Sequence, residues 1–398
     1  MLAAFLENSM SLRTSSIALS MLALAMAAFP VSAAESAPVA PTARTPKLTG
    51  WKATPVVDGL EFPWAIAWLP DGSALITERP GRLRVLRDGA VSQEPVAGLP
   101  GILASGQGGL MDVSLHPRFA ENKLVYLTYS TGTRDANYTA VGRGRLEGNE
   151  LKDFRPIFEN PVKKSGGQHF GSRILWLPDG TMLVSIGDGG NPPTAYKGEH
   201  IRKQAQSLAN PIGKVVRLTD DGGTPPDNPF VGKDGADGRV WTLGHRNIQG
   251  LAMDAAGNIW ASEHGARGGD ELNLLKSGTN YGWPEVTFSI EYWGPKISDE
   301  THRDGMADPT HVWTPCIAPS GLLFYTGDRI PAWKGKLLAG GLVLQQIRVL
   351  TLEGTTVAED RTLDIGSRVR DVRQGPDGFV YVLTDEKNGR LLRLEAAP

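Results

Sequence analysis

Cysteine is almost absent from this chain of 398 residues, which contains only Cys316. A single cysteine cannot form an intramolecular disulfide, so we expect core packing or a bound ion to stabilise the fold. An excess of one charge is also lacking, because 41 Lys and Arg residues are balanced by 43 Asp and Glu residues, and the formal net charge is −2. This balance argues against binding of nucleic acid or of a charged membrane surface.

Long hydrophobic runs are lacking except near the N-terminus, where an apolar segment covers Ile17 to Phe29. This pattern predicts a secretory signal peptide over residues 1–34, because the segment is too short to span a bilayer comfortably; a membrane anchor is the alternative. An Ala/Pro-rich linker is expected over residues 35–49. We expect residues 50–398 to form an exported domain, periplasmic after cleavage and without a membrane span.

Glycine and proline are abundant, with 48 and 28 residues, and their even spread predicts many turns between short strands. A strand–turn–strand pattern recurs, in its clearest copies around a Pro-Asp-Gly turn, whose residues supply the backbone conformations of tight turns. The six units cover residues 68–86, 115–130, 176–190, 253–275, 331–350 and 375–394. The chain is therefore built from six all-β repeats.

Six repeats of this size predict an all-β, six-bladed β-propeller. A two-sheet sandwich is less suitable, since it would not repeat one turn motif along the whole chain. The segment 50–57 is expected to complete the last blade and so to close the ring. Because the loops between blades converge near the central channel of a propeller, we expect functional residues in those loops.

Two loop segments contain a polar side chain among glycines. Gln107 precedes a buried strand, and His169 lies in a glycine-rich segment that leads into another. His169 is the only group there that can accept a proton near neutral pH. Either residue could instead be a hydrogen-bonded structural group. The glycines favour a functional His169, because they would allow a ligand to approach the backbone closely.

Arginines mark two other positions. Arg246 lies between His245 and Asn247, and an Arg next to an Asn can stabilise a developing oxyanion, although hydrogen bonds between blades would use the same groups. Arg368 and Arg370 would face the same way if both lie on one strand. Two guanidinium groups on one face would bind a ligand with several carboxylates, whereas ordinary surface charge is the alternative.

The spacing of possible metal ligands excludes some sites. The seven histidines contain no close i, i+2 or i, i+4 pair, so a His-based transition-metal centre is not expected. Gly265 and Ala266 lie in a glycine-rich loop beside Asp270 and Glu271, and such a loop can direct several oxygens towards Ca²⁺. No EF-hand spacing is present, so an ordinary long loop remains the alternative.

Taken together, the motifs resemble those of the pyrroloquinoline quinone (PQQ)-dependent soluble sugar dehydrogenases, the glucose/sorbosone dehydrogenase family, from about Trp51 to Leu394. The shared motifs are, in order, GQGGL, HFGSR, GHRN-x-QGLA, E-x-G-x-RGGDE-x-N, NYGWP and R-x-RDV. The chain is more similar to the aldose sugar dehydrogenase branch than to the dimeric soluble glucose dehydrogenase, and we expect a monomer.

The resemblance implies an activity as well as a fold. PQQ would lie over the central channel, and the C1 hydroxyl of an aldose would be oxidised to a lactone by hydride transfer to PQQ. Ca²⁺ would act as a Lewis acid, and an external acceptor (a quinone, a cytochrome or a dye) would take the electrons.

The resemblance also implies roles for individual residues. His169 matches the general base, Gln107 matches a glutamine near the substrate, and Arg246 matches the arginine beside the reactive quinone oxygen. The carbonyls of Gly265 and Ala266 match the Ca²⁺ ligands that connect protein and PQQ. The residues implied to contact PQQ are Arg246, Asn247, Arg368 and Arg370.

The chain departs from the family pattern at four positions. Val343 occupies the position of a PQQ-binding lysine, so one cation is lost on the cofactor side. Gln168 replaces the acidic residue before the base of the glucose dehydrogenase, while Ala266 and Ile248 replace prolines. The missing lysine keeps a second class of function open, which is a non-redox exported propeller acting as a sugar-binding module or as a Ca²⁺-dependent lactonase.

Overall fold

The computed structural model describes residues 45–397. The signal peptide predicted over residues 1–34 lies outside the described residues, as does most of the linker predicted over 35–49. Within the described part, the main chain of residues 46–48 pairs with Thr362: Leu48 N–H donates to the Thr362 carbonyl (2.8 Å), and Thr362 N–H donates to the Pro46 carbonyl (2.9 Å). The last residues of the predicted linker therefore lie against the edge of a sheet.

Antiparallel strands make up nearly all of the regular structure. The strands of the first half are β1 (Trp51–Leu60), β2 (Pro63–Trp68), β3 (Ala74–Glu78), β4 (Arg82–Arg87), β5 (Ala90–Val91), β6 (Leu110–Leu115), β7 (Leu124–Thr133), β8 (Ala136–Glu147), β9 (Glu150–Glu159), β10 (Ile174–Trp176), β11 (Met182–Ile186), β12 (Ala195–Tyr196) and β13 (Glu199–His200). Those of the second half are β14 (Lys214–Leu218), β15 (Val240–Leu243), β16 (Ile248–Met253), β17 (Ile259–Glu263), β18 (Asp270–Leu275), β19 (His311–Trp313), β20 (Pro319–Phe324), β21 (Leu337–Gly341), β22 (Gln346–Glu353), β23 (Thr356–Asp364), β24 (Val369–Gln374), β25 (Val380–Thr384) and β26 (Gly389–Ala396).

Helices are few and short. The described residues contain one α-helix, α1 (Phe119–Asn122), and two 3-10 helices, at Ile201–Gln206 and Pro331–Trp333. Over residues 45–397, no helix combines the length and the apolar character that crossing a membrane requires.

The strands assemble into six four-stranded sheets, and β12 and β13 form a separate hairpin. The sheets are β2–β5, β6–β9, β10-β11-β14-β15, β16–β19, β20–β23 and β24-β25-β26-β1. The innermost strands β2, β6, β10, β16, β20 and β24 lie against one another in succession, and β24 lies against β2. The predicted six-bladed propeller is confirmed, and each of the six predicted repeats falls in a different blade.

The ring is closed by the first strand of the fold. β1 pairs with β26 from Trp51 opposite Ala396 to Leu60 opposite Gly389. This confirms that residues 50–57 contribute a strand to the last blade. β1 comes from the opposite end of the domain to β26. The hydrogen bonds between them cover one edge of each strand.

Apolar side chains fill the space between adjacent blades. For example, Leu75 and Leu83 of the first blade pack in one cluster with Leu110 and Leu127 of the second, and all four side chains are fully buried. The third residue of each Pro-Asp-Gly turn has a positive φ, such as 85° at Gly72, which explains the glycine. Packing between blades thus stabilises a fold in which the described residues contain no disulfide.

The innermost strands are irregular where they begin. Register shifts lie between Pro63 and Ala65, Leu110 and Val113, Ile248 and Gly250, Pro319 and Leu322, and Val369 and Asp371. A bulge leaves a residue out of the hydrogen-bond ladder and changes the direction of its side chain. Trp64, Met111, Gln249 and Arg370 lie within these shifts, and all four line the same cavity. The irregular strand starts therefore form part of the site described next.

Candidate active site

Residues from all six blades line one cavity of about 220 Å³. The lining residues that matter below are Trp64, Arg79, Gln107, Phe170, His264, Tyr292, Leu342, Arg368, Arg370 and Asp385. A larger cleft of about 520 Å³, lined by residues 55–60, 84 and 89–91, contains none of the predicted site residues. We regard the smaller cavity as the site, because the predicted residues Gln107, Arg368 and Arg370 line it together with charged and aromatic side chains from several blades.

Three arginines converge on one carboxylate in this cavity. Asp385 Oδ2 lies 2.9 Å from Arg370 Nη2 and 3.4 Å from Arg368 Nη2, and Asp385 Oδ1 lies 3.5 Å from Arg79 Nη1. Burial opposes ionisation of Asp385, but Arg370 and Arg79 more than compensate and lower its pKa. Three cations with one anion leave an excess of positive charge. The cavity is therefore suited to a ligand with several anionic groups.

The geometry of the two predicted arginines differs from the expectation. Arg368 precedes β24, and Arg370 lies at the bulge between Val369 and Asp371. The premise that both lie on one regular strand is therefore wrong, although both side chains line the same cavity. Their shared partner, Asp385, brings them together instead, with the Arg370 side chain 7% exposed and that of Arg368 43% exposed.

His169 is buried next to this cavity. Its Nδ1 lies 2.6 Å from Asp188 Oδ1, and its backbone N–H donates to Gln107 Oε1 at 2.9 Å. Because Nδ1–H donates a hydrogen bond to the carboxylate, Nε2 carries a lone pair that can take a proton. Burial, followed by the positive charge of Arg246, lowers the pKa of His169 below its ordinary value. Both effects favour the neutral imidazole.

Asp188 is a site residue that the sequence analysis missed. Its Oδ2 accepts a hydrogen bond from Trp283 Nε1 (2.8 Å), and its backbone N–H donates to the Arg246 carbonyl (2.8 Å). Burial favours the neutral acid, but His169 and then Arg246 lower the pKa of Asp188. The signal in the sequence was an acidic residue between two glycines after the buried strand β11. The neighbouring sequence did not identify His169 as its partner.

The glycines around His169 have a packing role that was not predicted. A Cβ at Gly106 would lie 2.3 Å from the Gly167 carbonyl oxygen, and a Cβ at Gly171 would lie 2.5 Å from the Ser185 carbonyl oxygen. His169 itself has a positive φ of 53°. These glycines allow segments of the chain to approach one another, and Gly171 also lines the cavity, so the approach of a ligand stays a prediction.

Arg246 and Asn247 are both buried and hydrogen-bonded. Arg246 Nη1 donates to the Gly265 carbonyl (2.6 Å), and its guanidinium lies 5.4 Å from the centre of the Trp283 ring. Asn247 Oδ1 accepts from Gly171 N–H at 3.0 Å, which links two blades as the structural alternative proposed. His245 is bonded to Glu263 and has a structural role. Arg246 and His169 are thus placed together, joined through Asp188.

The loop predicted to bind Ca²⁺ is held in place from several sides. Asp270 Oδ1 accepts from Gly265 N–H and Oδ2 from Ala318 N–H, both at 2.7 Å. Ala266 N–H donates to Ser289 Oγ at 3.0 Å. Asp270 therefore positions the loop, and both of its carboxylate oxygens already accept hydrogen bonds. Among the described residues, no group of three or more His, Cys, Asp or Glu side chains could hold a metal ion, so a cation here would depend on carbonyl oxygens.

Val343 lies in the turn between β21 and β22, next to the cavity residue Leu342, and its exposed fraction is 56%. No cation replaces the expected lysine at this position. A different cation, that of Arg79, reaches the cavity from the turn between β3 and β4. Arg79 and Asp385 were not predicted, because neither lies in one of the motifs and their ion pairs join different loops.

The fold and the site together define a β-propeller with an arginine-lined cavity next to a buried His–Asp pair. Known proteins share this architecture. The family model described as Glucose / Sorbosone dehydrogenase matches residues 60–393. Protein slr1608 of Synechocystis is 57% identical over 356 residues, covering 87% of this chain and 86% of its own. The chain therefore belongs to the glucose/sorbosone dehydrogenase family.

Two solved structures agree with this assignment. The soluble aldose sugar dehydrogenase of Escherichia coli in its apo form has a TM-score of 0.82 and 40% identity, covering 87% of this chain and 99% of its own. The PQQ-bound form of an aldose sugar dehydrogenase from Streptomyces coelicolor has a TM-score of 0.71 and 27% identity, covering 88% and 99%.

Proposed function

We propose that this protein is a quinoprotein that oxidises the C1 hydroxyl of aldose sugars to the lactone with PQQ as cofactor. Family membership supports the substrate class, and the PQQ-bound relative supports the cofactor. The single observation that carries the proposal is the buried His169–Asp188 pair beside a cavity with three arginines. A proton acceptor next to a site for a polyanion is the combination that this reaction needs.

The residues present fit PQQ, which is a flat molecule with three carboxylates. Arg79, Arg368 and Arg370 would pair with carboxylates, and Trp64 provides an aromatic wall. Within residues 45–397, Arg370 Nε is buried without a hydrogen-bond partner, so one donor is free for a ligand. Since an unpaired buried donor costs about 1–3 kcal/mol, a carboxylate accepting from this atom would remove an existing penalty.

The bound cofactor supplies an electrophilic carbon that accepts hydride, which no protein side chain can do. His169 Nε2 takes the proton from the C1 hydroxyl as the C–H bond breaks. Asp188 holds the imidazole in the required tautomer and stabilises its protonated form. Arg246 would stabilise the negative charge that develops on the reactive quinone oxygen, an effect of about 3 kcal/mol. Gln107 Oε1 positions His169 by accepting the backbone N–H of His169. Gln107 also lines the cavity, where it can contact the sugar.

Ca²⁺ would bind through the carbonyl oxygens of Gly265 and Ala266. Such hard, neutral donors suit Ca²⁺, but two of them are too few, since this ion takes six to eight oxygen ligands. The remaining ligands would come from water and from anionic oxygens of the cofactor. Arg246, which already donates to the Gly265 carbonyl, places a second positive charge nearby. We therefore expect Ca²⁺ and PQQ to bind together and each to bind weakly alone.

The lactonase alternative receives less support. A Ca²⁺-dependent lactonase needs a cation held largely by carboxylate or Asn side chains, and residues 45–397 contain no cluster of acidic side chains able to hold one. A sugar-binding module would not need a buried His–Asp pair. The external electron acceptor, the periplasmic location and the monomeric state belong to the same proposal.

The direct test is reconstitution. The purified chain is incubated with PQQ and Ca²⁺, with either alone, or with neither, and aldose oxidation is followed with an artificial electron acceptor. We expect turnover only when both are present. Binding of PQQ without turnover on any aldose would contradict sugar oxidation, and failure of PQQ to bind at any Ca²⁺ concentration would contradict the quinoprotein assignment.

A further inference from the structure

The carboxylate of Asp188 has a hydrogen-bond donor at each of its two oxygens. Oδ1 lies 2.6 Å from His169 Nδ1 and also accepts from Gly190 N–H at 3.1 Å. Oδ2 accepts from the indole Nε1–H of Trp283 at 2.8 Å, and within residues 45–397 it has no other donor. Because Asp188 is 1% exposed, bulk water does not reach either oxygen. The orientation of the carboxylate, and with it that of the imidazole, therefore depends on Trp283.

Trp283 is itself held through its backbone by two other segments of the chain. Its N–H donates to the Gly244 carbonyl at 3.0 Å, and its carbonyl accepts from Gln206 Nε2 at 2.7 Å. Gln206 is the last residue of the 3-10 helix Ile201–Gln206. Since Trp283 is also buried, its indole has little freedom to move away from Asp188.

Two guanidinium groups lie over the Trp283 ring. That of Arg246 is 5.4 Å from the centre of the ring, and that of Arg202 is 5.8 Å from it. A cation at this distance from an indole is attracted by the negative charge of the ring face. Arg202 is fixed in turn by the buried Glu291, whose Oε1 lies 2.6 Å from Arg202 Nη1. The ring is therefore held by its neighbours as well as by its backbone.

Trp283 carries no charge in a region where several groups influence the proton on His169. The titratable and charged groups that face His169 are Asp188, Arg246, Lys164 and His264. Burial lowers the pKa of His169, Arg246 and Lys164 also lower it, and Asp188 raises it. A hydrogen bond to Oδ2 spreads the negative charge of the carboxylate, which then stabilises the protonated imidazole less strongly. Trp283 can therefore act on the imidazole through the carboxylate alone.

We propose that Trp283 is a positioning residue for the oxidation, which orients Asp188 and limits how strongly that carboxylate attracts the proton taken up by His169. This inference rests on the proposed sugar oxidation. Trp283 does not line the 220 Å³ cavity, so it acts through Asp188 and not by contact with the sugar. An indole N–H suits this role, because it donates one hydrogen bond and cannot accept the proton itself.

Trp283→Phe removes the donor and keeps an aromatic ring. In the enzyme loaded with PQQ and Ca²⁺, we expect kcat for an aldose to fall about tenfold, which corresponds to the loss of one hydrogen bond to a charged group. The acid limb of the kcat/KM profile should move to higher pH, because the carboxylate attracts the imidazole proton more strongly. Asp188→Asn should move the same limb to lower pH. The sign of the shift therefore separates loss of the donor from loss of the carboxylate.

Tyr281→Phe is the matched control. The Tyr281 hydroxyl donates to the Leu274 carbonyl at 2.7 Å, so this variant also loses a hydrogen bond from the segment that carries Trp283. We expect a lower melting temperature in both variants and a shifted acid limb in Trp283→Phe alone. An acid limb that moves equally in both variants, or that stays in place in Trp283→Phe, would overturn the inference.

Titration of the His169 imidazole by NMR, in the full chain without PQQ, gives a measurement that does not need turnover. Its signal is assigned by its absence from His169→Gln. A higher pKa of His169 in Trp283→Phe would support the inference even if no sugar were oxidised, so failure of the proposed function remains distinguishable. If Trp283→Phe does not fold, Gln206→Met releases the Trp283 carbonyl and should raise the pKa of His169 by a smaller amount. An unchanged pKa there would contradict the positioning role.

Discussion

The two sides of the site differ in burial and in how their side chains are bonded. On the inner side, His169, Asp188 and Arg246 are 4%, 1% and 3% exposed and are joined by hydrogen bonds. On the rim, Tyr292 and Val343 are more than half exposed. Removing a partner on the inner side leaves a buried polar group unpaired, at a cost of about 1–3 kcal/mol. A substitution at the rim affects side chains that water already contacts, so it leaves no buried polar group unpaired.

Under the proposed function, this difference assigns the chemistry to the inner side and selectivity to the rim. Proton transfer needs fixed geometry and a low dielectric, which the inner side provides. Choice among sugars, or among ligands of different charge, needs surfaces that can change without unfolding the protein, which the rim provides. Substitutions on the inner side should therefore alter kcat and the pH profile, while those on the rim should alter binding with little effect on stability.

The largest effect is expected at His169. His169→Gln removes the proton acceptor, and we expect aldose oxidation to fall about 1,000-fold, within the range for loss of a general base. The affinity for PQQ, measured by absorbance titration, should change less than threefold, because His169 is not one of the residues proposed to bind PQQ. Parallel loss of binding and turnover would show that His169 is only a structural group.

Asp188→Asn should have the next largest effect and also shift the pH profile. Asp188 raises the pKa of His169, whereas burial and Arg246 lower it. A neutral amide removes the raising influence, so the pKa falls further and the acid limb of kcat/KM moves to lower pH. We expect kcat to fall about 100-fold, since the protonated imidazole loses its carboxylate partner. A shift of the acid limb to higher pH would contradict this arrangement.

Arg79→Gln tests the cationic part of the cavity. Loss of one of three arginines should weaken PQQ binding about tenfold, since a charge-assisted contact in a partly buried site is lost. Fluorescence titration of the purified chain with PQQ measures this directly. Arg87→Gln is the matched control, because Arg87 belongs to the same blade but pairs with Asp71 at the surface. Similar affinities in both variants would exclude Arg79 from the site.

Val343→Lys should give the smallest effect, and in the opposite direction. A lysine beside Leu342 would add a cation at the rim, and we expect PQQ affinity to rise about threefold, consistent with an exposed ion pair. The melting temperature should stay within about 2 °C of the parent, because the position is exposed. Leu344→Lys, one residue further along the same turn, controls for charge alone. A gain of the same size in Leu344→Lys would mean that position 343 has no specific contact.

The site residues that could be predicted from the sequence are those that lie together in a local motif. The run His245–Asn247 and the pair Gly265–Ala266 are contiguous, so their proximity to each other needed no fold. Asp188 and Asp385 were missed because their partners come from other loops or blades. The packing role of Gly171 was not predicted, because a glycine required by backbone packing and one required by a ligand are identical in sequence.

The sequence by itself determined the repeat, the propeller and the strand that closes it, because turn residues and alternating apolar residues act over a few positions. Only the tertiary structure decided the site. Bulges at the starts of the inner strands direct Trp64, Gln249 and Arg370 into the cavity, and Asp385 gathers arginines from two blades. The physical reason is that register shifts and ion pairs between blades depend on contacts between distant segments, which no local pattern contains.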